Sequence, residues 1–216
     1  MPLADADRTL ALLADPAVRS RLPARDEVWP RVTLSSVPGA PWAEGLSLLE
    51  VAARLDRTPA DAALHLLVST NLQVGCVFEQ PPTNSDESMR TLLRHPAHCA
   101  GSDGIYRGGH PHPRGWGTFA RLLGRHVREL GDWDWPTAVQ HLSTTASRRF
   151  GLHDRGTLAP GRRADLVLLD PSTVTDHATY DAPRQLATGV HTVLVDGVPA
   201  LRDGRLTGAL PGRAVR

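Results

Sequence analysis

The sequence predicts an α/β protein with two differently patterned zones. Residues 31–150 alternate short apolar runs with helical patterns, and such alternation is typical of parallel βα units. Residues 155–216 carry short strand-like runs separated by Asp-Gly pairs, which are typical of tight turns in an antiparallel β-meander. The hydrophobic share of 41% and the charged share of 22% are those of a globular chain. A length of 216 residues suits one sizeable domain, alone or with a small appendage.

Local signals mark the helices of the first zone. Ser47 and Glu50 have the spacing of a capping box, which predicts a helix that runs to about Leu55. Thr58 can cap a second helix through its side-chain oxygen, and Pro59 suits the first position of that helix. Helical patterns are also predicted over residues 1–30, with interrupting prolines, and over 85–94, 119–130 and 136–150.

Three short apolar runs in the first zone are strand candidates, at residues 31–36, 74–78 and 97–102. The run at 74–78 has the composition of a strand that is buried on both faces. The third run ends at Asp103. We therefore expect Asp103 at the C-terminal end of a parallel strand, with the other two strands beside it. A loop rich in Gly, His and Pro is expected over residues 105–117.

The second zone is expected to form an antiparallel unit over residues 164–206. Its turns are predicted at Asp196-Gly197 and Asp203-Gly204, because Asp-Gly pairs suit two-residue hairpin turns. The change of pattern predicts a domain boundary between residues 1–154 and residues 155–216.

Charge and cysteine content exclude several classes of partner. The formal net charge is +1, from 24 basic and 23 acidic residues, so neither a nucleic acid nor an anionic membrane is expected as a partner. Charged residues interrupt the apolar N-terminus, and no stretch approaches membrane-spanning length. Cys76 and Cys99 are far apart and form no CxxC pair, which favours a reduced, cytoplasmic compartment.

A series of motifs carries the functional interpretation. Gly101-Ser-Asp-Gly104, His112-Pro-Arg114 and Gly117-Thr-Phe119 follow one another, and Pro160-Gly161 and Val195-Asp-Gly197 come later. In this order the motifs resemble the C-terminal half of an amidohydrolase of the N-acyl-D-amino-acid deacylase (D-aminoacylase) type, over roughly residues 10–216. The resemblance implies the C-terminal part of a (β/α)8 TIM-type barrel, followed by the C-terminal strands of a small β domain.

The resemblance also implies a reaction and its residues. Such enzymes hydrolyse an N-acyl-D-amino acid to a carboxylate and a D-amino acid, with Zn²⁺ polarising the amide and activating a water. Asp103 is then the general acid/base beside the metal. Arg114 grips the α-carboxylate through its planar guanidinium, and His112 lines the substrate pocket. Alternatively, Asp103 only shapes a turn with Gly104, and Arg114 is an ordinary surface arginine.

Part of the expected metal site has no counterpart in the sequence. The family pattern includes an HxH pair after the first barrel strand, a cysteine and further histidines, and none can be placed. Residues around Asp103 offer one alternative zinc set, which we disfavour because their predicted positions do not converge: His95, His98, Cys99, His110 and His112. All 24 basic residues are arginine, so no carboxylated lysine can bridge two metals.

The predicted βα zone holds about three strands, whereas a full barrel of this type needs about 250 residues. We expect a truncated gene, a partial reading frame, or a second chain or homo-oligomer that completes the barrel. Weak zinc binding and little activity follow for this chain alone. Two alternatives stay open: another cyclic-amide amidohydrolase, and a non-catalytic remnant or subunit.

Overall fold

The computed structural model of the chain describes residues 6–19, 27–81 and 83–214. The chain forms two compact units. The first contains described residues within 1–82, 105–112 and 180–183, and the second contains those within 83–104, 113–179 and 184–216. None of the helices in the described ranges is both long and apolar enough to span a membrane.

Within the described residues, the first unit contains two short 3-10 helices, Trp29–Arg31 and Pro41–Ala43, together with four α-helices and two strands. The α-helices and strands are α1 (Ala6–Ala14), α2 (Pro16–Arg19), β1 (Val32–Ser36), α3 (Leu48–Arg54), α4 (Pro59–Ser69) and β2 (Gly75–Phe78). Among its described residues, the second unit contains four α-helices, two π-helical segments and four strands. They are α5 (Asp86–Arg94), α6 (Arg114–Arg121), the π segment Leu122–Glu129, α7 (Trp135–Val139), the π segment Gln140–Thr144, α8 (Thr145–Arg149), β3 (Leu166–Leu169), β4 (Val190–Val195), β5 (Val198–Arg202) and β6 (Arg205–Leu206).

The predicted helix starts in the first unit are confirmed. Glu50 N–H donates to Ser47 Oγ at 3.2 Å, and Ser47 N–H donates to the Glu50 carboxylate at 2.7 Å, which completes the capping box. Thr58 Oγ1 accepts from Asp61 N–H, and Pro59 occupies the first position of α4. Buried Leu48 and Val51 of α3 then pack into the apolar core of this unit.

The predicted parallel arrangement of the first two strands is wrong. β1 and β2 form a two-stranded antiparallel sheet, in which Val32 lies opposite Phe78. Burial on both faces of β2 is also wrong, because only Val77 is buried while Cys76 and Phe78 are exposed. Each strand has a single neighbour in this sheet, and Leu34 of β1 packs with Leu48 and Val51 of α3 in one apolar core.

The predicted third strand is not formed either. Residues 97–102 have no strand structure, so Asp103 does not follow the end of a parallel strand. This segment forms a backbone hydrogen bond with a helical residue and not with a neighbouring strand: Ala100 N–H donates to the carbonyl of His141 at 3.1 Å.

The long helices of the second unit are confirmed with altered details. The helix predicted over 119–130 begins earlier, at Arg114, and continues as a π segment. The helix predicted over 136–150 runs continuously through α7, a π segment and α8. Trp133 is buried against Val127 and Ala138 in the apolar core of this unit.

The antiparallel β region is confirmed. Strands β3, β4, β5 and β6 form one sheet in sequence order, and every neighbouring pair is antiparallel. Asp196-Gly197 and Asp203-Gly204 form its turns, and both aspartates and both glycines have positive φ. The domain boundary at residues 154 and 155 stays a prediction.

Candidate functional site

Asp103 lies in a segment without regular secondary structure, just before the loop at residues 105–112. Its backbone has a φ of +47°, a region that a non-glycine residue occupies at a conformational cost. Its two neighbours are joined by a hydrogen bond, since Gly104 N–H donates to Ser102 Oγ at 3.3 Å. The side chain of Asp103 is 84% exposed, so its carboxylate is available to other groups.

Arg114 is the first residue of α6, whereas the sequence predicted a loop there. Pro113 sits at the N-cap with a φ of −59°, and this fixed angle prepares the chain for the helix. Arg114 Nη2 lies 2.8 Å from Asp103 Oδ2, and its side chain is 36% exposed. The second unit thus brings the predicted acid/base and the predicted carboxylate-binding arginine into direct contact.

The Asp103–Arg114 pair has the chemistry of an exchangeable contact. An ion pair this exposed contributes about 0–1 kcal/mol, because water and salt screen it. One nitrogen of the guanidinium meets Asp103, while a planar guanidinium can bind a carboxylate through two nitrogens at once. The start of α6 also carries the positive end of the helix dipole, which favours anions. A ligand carboxylate can therefore compete with Asp103 for Arg114.

His112 belongs to the first unit and contacts Tyr180 there. Its Nε2 lies 3.2 Å from Tyr180 Oη, and the two rings meet edge to face at 5.2 Å. His110 contacts the same residue, with Nε2 2.6 Å from the Tyr180 carbonyl. Nothing in the sequence marked Tyr180 as a neighbour, because 68 residues separate it from His112.

The loop that carries His110 and His112 is fixed to the end of β1. Glu44 accepts from Val37 N–H at 2.8 Å and also from Gly109 N–H. His110 N–H donates to the Ser35 carbonyl at 3.2 Å. A cavity of about 250 Å³ adjoins this loop, and its lining includes Thr33, Gly45, Val77, Glu79, His110 and Tyr180. This arrangement is a polar recess in the first unit.

A second group of contacts surrounds Asp132 in the second unit. The side chain of Asp132 is 1% exposed. Its carboxylate accepts hydrogen bonds from Arg90 Nε at 3.0 Å and His126 Nδ1 at 2.9 Å, and it forms an ion pair with Arg94 Nε at 3.0 Å. Burial alone raises the pKa of this carboxyl. Hydrogen bonds from Arg90 and His126, with the charges of Arg90 and Arg94, outweigh burial and lower the pKa to about 2. Asp132 therefore stays charged and anchors α5.

The donor set does not fit a catalytic zinc site. Within the described ranges, no three His, Cys, Asp or Glu side chains converge as metal ligands. A catalytic zinc needs about three protein ligands and one open position. Asp103 is the carboxylate that the resemblance places at the metal, and here it is paired with Arg114.

Comparison with known proteins identifies relatives over nearly the whole chain. Residues 5–200 match the amidohydrolase family. An N-acyl-D-glutamate deacylase from Alcaligenes xylosoxydans xylosoxydans is 39% identical over 169 residues, which cover 75% of this chain and 33% of that protein. A D-aminoacylase from the same organism is 45% identical over 115 residues, covering 53% of this chain and 24% of that protein.

Solved structures give the same match. The N-acyl-D-glutamate deacylase from Bordetella bronchiseptica, complexed with zinc and a phosphonate inhibitor, aligns with a TM-score of 0.70 at 33% identity, over 84% of this chain and 38% of that chain. A D-aminoacylase structure aligns with a TM-score of 0.69 at 30% identity, over 95% and 45%. The chain thus spans less than half the length of these relatives, and its described residues form a mixed α/β structure without a closed barrel.

Proposed function

The chain belongs to the amidohydrolase family, and from that premise we propose that it carries the proton-transfer and carboxylate-binding part of an N-acyl-D-amino-acid deacylase. The observation that supports this most directly is the 2.8 Å contact between Asp103 and Arg114. It joins one general acid/base candidate to one carboxylate-binding candidate. The relatives that support the proposal act on N-acyl-D-amino acids by their names.

Each residue of the proposed site has a defined task. Arg114 binds the α-carboxylate of the substrate through its guanidinium and orients the amide. Asp103 accepts a proton from the attacking water and then donates it to the leaving amine, so that the amide C–N bond breaks and a D-amino acid is released. Substrate binding by His112 stays a separate prediction: its ring contacts Tyr180 within the first unit.

The proposal assigns to this chain only part of an active site. The chain spans 24% to 45% of the length of its relatives, and the described residues bring no three metal ligands together. We propose that zinc chemistry, where it occurs, depends on groups outside the described residues. The same observations favour a second candidate, a subunit that needs another chain to complete its barrel.

A chimera tests the proposed catalytic role. The matching part of the Alcaligenes D-aminoacylase is replaced by this chain, and the hydrolysis of N-acetyl-D-amino acids is measured with zinc present. We expect turnover in the chimera and its loss in Asp103→Asn, because the amide keeps the size of the side chain but cannot transfer the proton. Equal turnover in the chimera and in Asp103→Asn contradicts the role of Asp103.

A further inference from the structure

His141 is a buried histidine that no motif in the sequence singled out. It lies in the π segment Gln140–Thr144, and its side chain is 2% exposed. Its Nδ1 lies 2.8 Å from the carbonyl oxygen of His98. A carbonyl can only accept, so the ring must donate from Nδ1, which defines the tautomer.

The backbone of His141 makes the opposite contact. Its carbonyl accepts from Ala100 N–H at 3.1 Å. His141 therefore receives one hydrogen bond from the segment at residues 98–100 and donates one to it. We call these two hydrogen bonds the His141 bridge. They replace strand pairing as the support of this segment, since residues 97–102 form no strand. Short π-helical segments within α-helices are frequently found at functional sites.

Aromatic rings also pack around the segment at residues 98–100. The ring centroid of His141 lies 5.0 Å from that of Trp133 and 5.1 Å from that of His98. Trp133 is 3% exposed, and its Nε1–H donates to the carbonyl of Leu93 at 3.0 Å. The chain between residues 93 and 100 is thus held to one cluster by three hydrogen bonds, just before it reaches Asp103.

We propose that His141 is a positioning residue, which holds residues 98–100 through the His141 bridge and so places Asp103 against Arg114. Only Gly101 and Ser102 lie between Ala100 and Asp103, so a displacement of Ala100 also displaces the Asp103 carboxylate. The importance of that placement for catalysis rests on the proposed function of Asp103. The bridge itself rests only on the contacts of His141.

Three substitutions in the 216-residue chain separate the side-chain hydrogen bond from bulk. His141→Asn places an amide N–H near the position of Nδ1, whereas His141→Gln places it near the position of Nε2. His141→Leu fills the site without a donor. Amide exchange and backbone amide signals are measured by NMR on each variant, and circular dichroism checks that it is folded. The ¹⁵N signals of His141 in the unchanged chain report its tautomer.

We expect the Nδ1–H tautomer in the unchanged chain. Amide exchange at Ala100 should be about tenfold faster in the Gln and Leu variants, the equivalent of one lost hydrogen bond, with shifted signals at Asp103 and Gly104. The Asn variant should restore both readouts. An Nε2–H tautomer, or Asn and Gln variants that behave alike, overturns the proposal. Should a variant fail to fold, the tautomer still decides. These readouts do not involve turnover, so a catalytically silent Asp103 in the chimera would refute the proposed function without affecting them.

Discussion

Replacement of Asp132 by asparagine should destabilise the second unit more than any other carboxylate change that we consider. The carboxylate is 1% exposed and receives hydrogen bonds from two arginines and one histidine. Its pKa is lowered from 3.8 to about 2, and each unit corresponds to about 1.4 kcal/mol of preference for the charged form. The contribution to stability at neutral pH is therefore about 2–3 kcal/mol. Asparagine also removes the charge that pairs with Arg90 and Arg94, but these side chains are 31% and 41% exposed, so water screens part of that loss.

The pH dependence of this effect follows from the direction of the shift. Because the folded-state pKa lies below the unfolded value, the stabilisation is complete above about pH 4. It is lost as the pH falls through the folded pKa of about 2. Urea denaturation followed by tryptophan fluorescence, between pH 7 and pH 2, measures the free energy of unfolding of both proteins.

The matched control is Asp103→Asn, which makes the same chemical change at a carboxylate that is 84% exposed. Its loss should stay within about 1 kcal/mol, as expected of a surface ion pair. Two results would refute the reasoning: equal losses for the two variants, or an Asp132→Asn deficit that keeps its full size at pH 2.

Three further predictions concern the site and its surroundings. In the chimera, Arg114→Lys should raise KM about tenfold or more, because lysine keeps the charge but loses bidentate binding. The control Arg121→Lys should leave KM unchanged, and equal KM values for both variants would exclude carboxylate binding by Arg114. The purified chain should bind zinc weakly and show little deacylase activity, as measured by calorimetry and by turnover with excess zinc; robust turnover that Asp103→Asn abolishes would contradict this. Gly108→Ala should lower the free energy of unfolding by about 2 kcal/mol or more, since the added Cβ would clash with the Ser35 carbonyl. Gly39→Ala has a similar φ and open space around the added Cβ, so it should lower this free energy by only about 1 kcal/mol. Equal melting temperatures for the two variants would contradict this.

Features encoded by neighbouring residues could be predicted from the sequence. The Ser47–Glu50 capping box and the start of α4 at Pro59 depend on side chains within one helical turn. The Asp196-Gly197 turn depends on two residues that adopt positive φ together. In these cases the energetic preference lies within the segment itself, so no knowledge of the rest of the fold was needed.

Features set by distant partners could not be predicted in this way. An apolar run such as residues 74–78 shows that a strand is favoured, but the direction of its partner depends on residues 31–36, more than 35 positions away. The segment at residues 97–102 has the composition of a strand, yet His141 takes its hydrogen bonds. Among the candidate site residues, Asp103 and Arg114 were found through motifs, whereas their contact required the structure.

The Asp103–Arg114 contact has a consequence for substrate selection under the proposed function. While the pair is intact, the Arg114 guanidinium occupies one oxygen of the Asp103 carboxylate. A substrate carboxylate that takes over Arg114 frees Asp103 at the moment when the amide arrives. The exchange costs at most about 1 kcal/mol, since the pair is exposed, so it lowers affinity by no more than about fivefold. An amide without a carboxylate leaves the pair in place. Under the proposed function, Arg114 therefore favours a substrate with a carboxylate in two ways. It orients that substrate, and by binding it, Arg114 releases Asp103 for proton transfer.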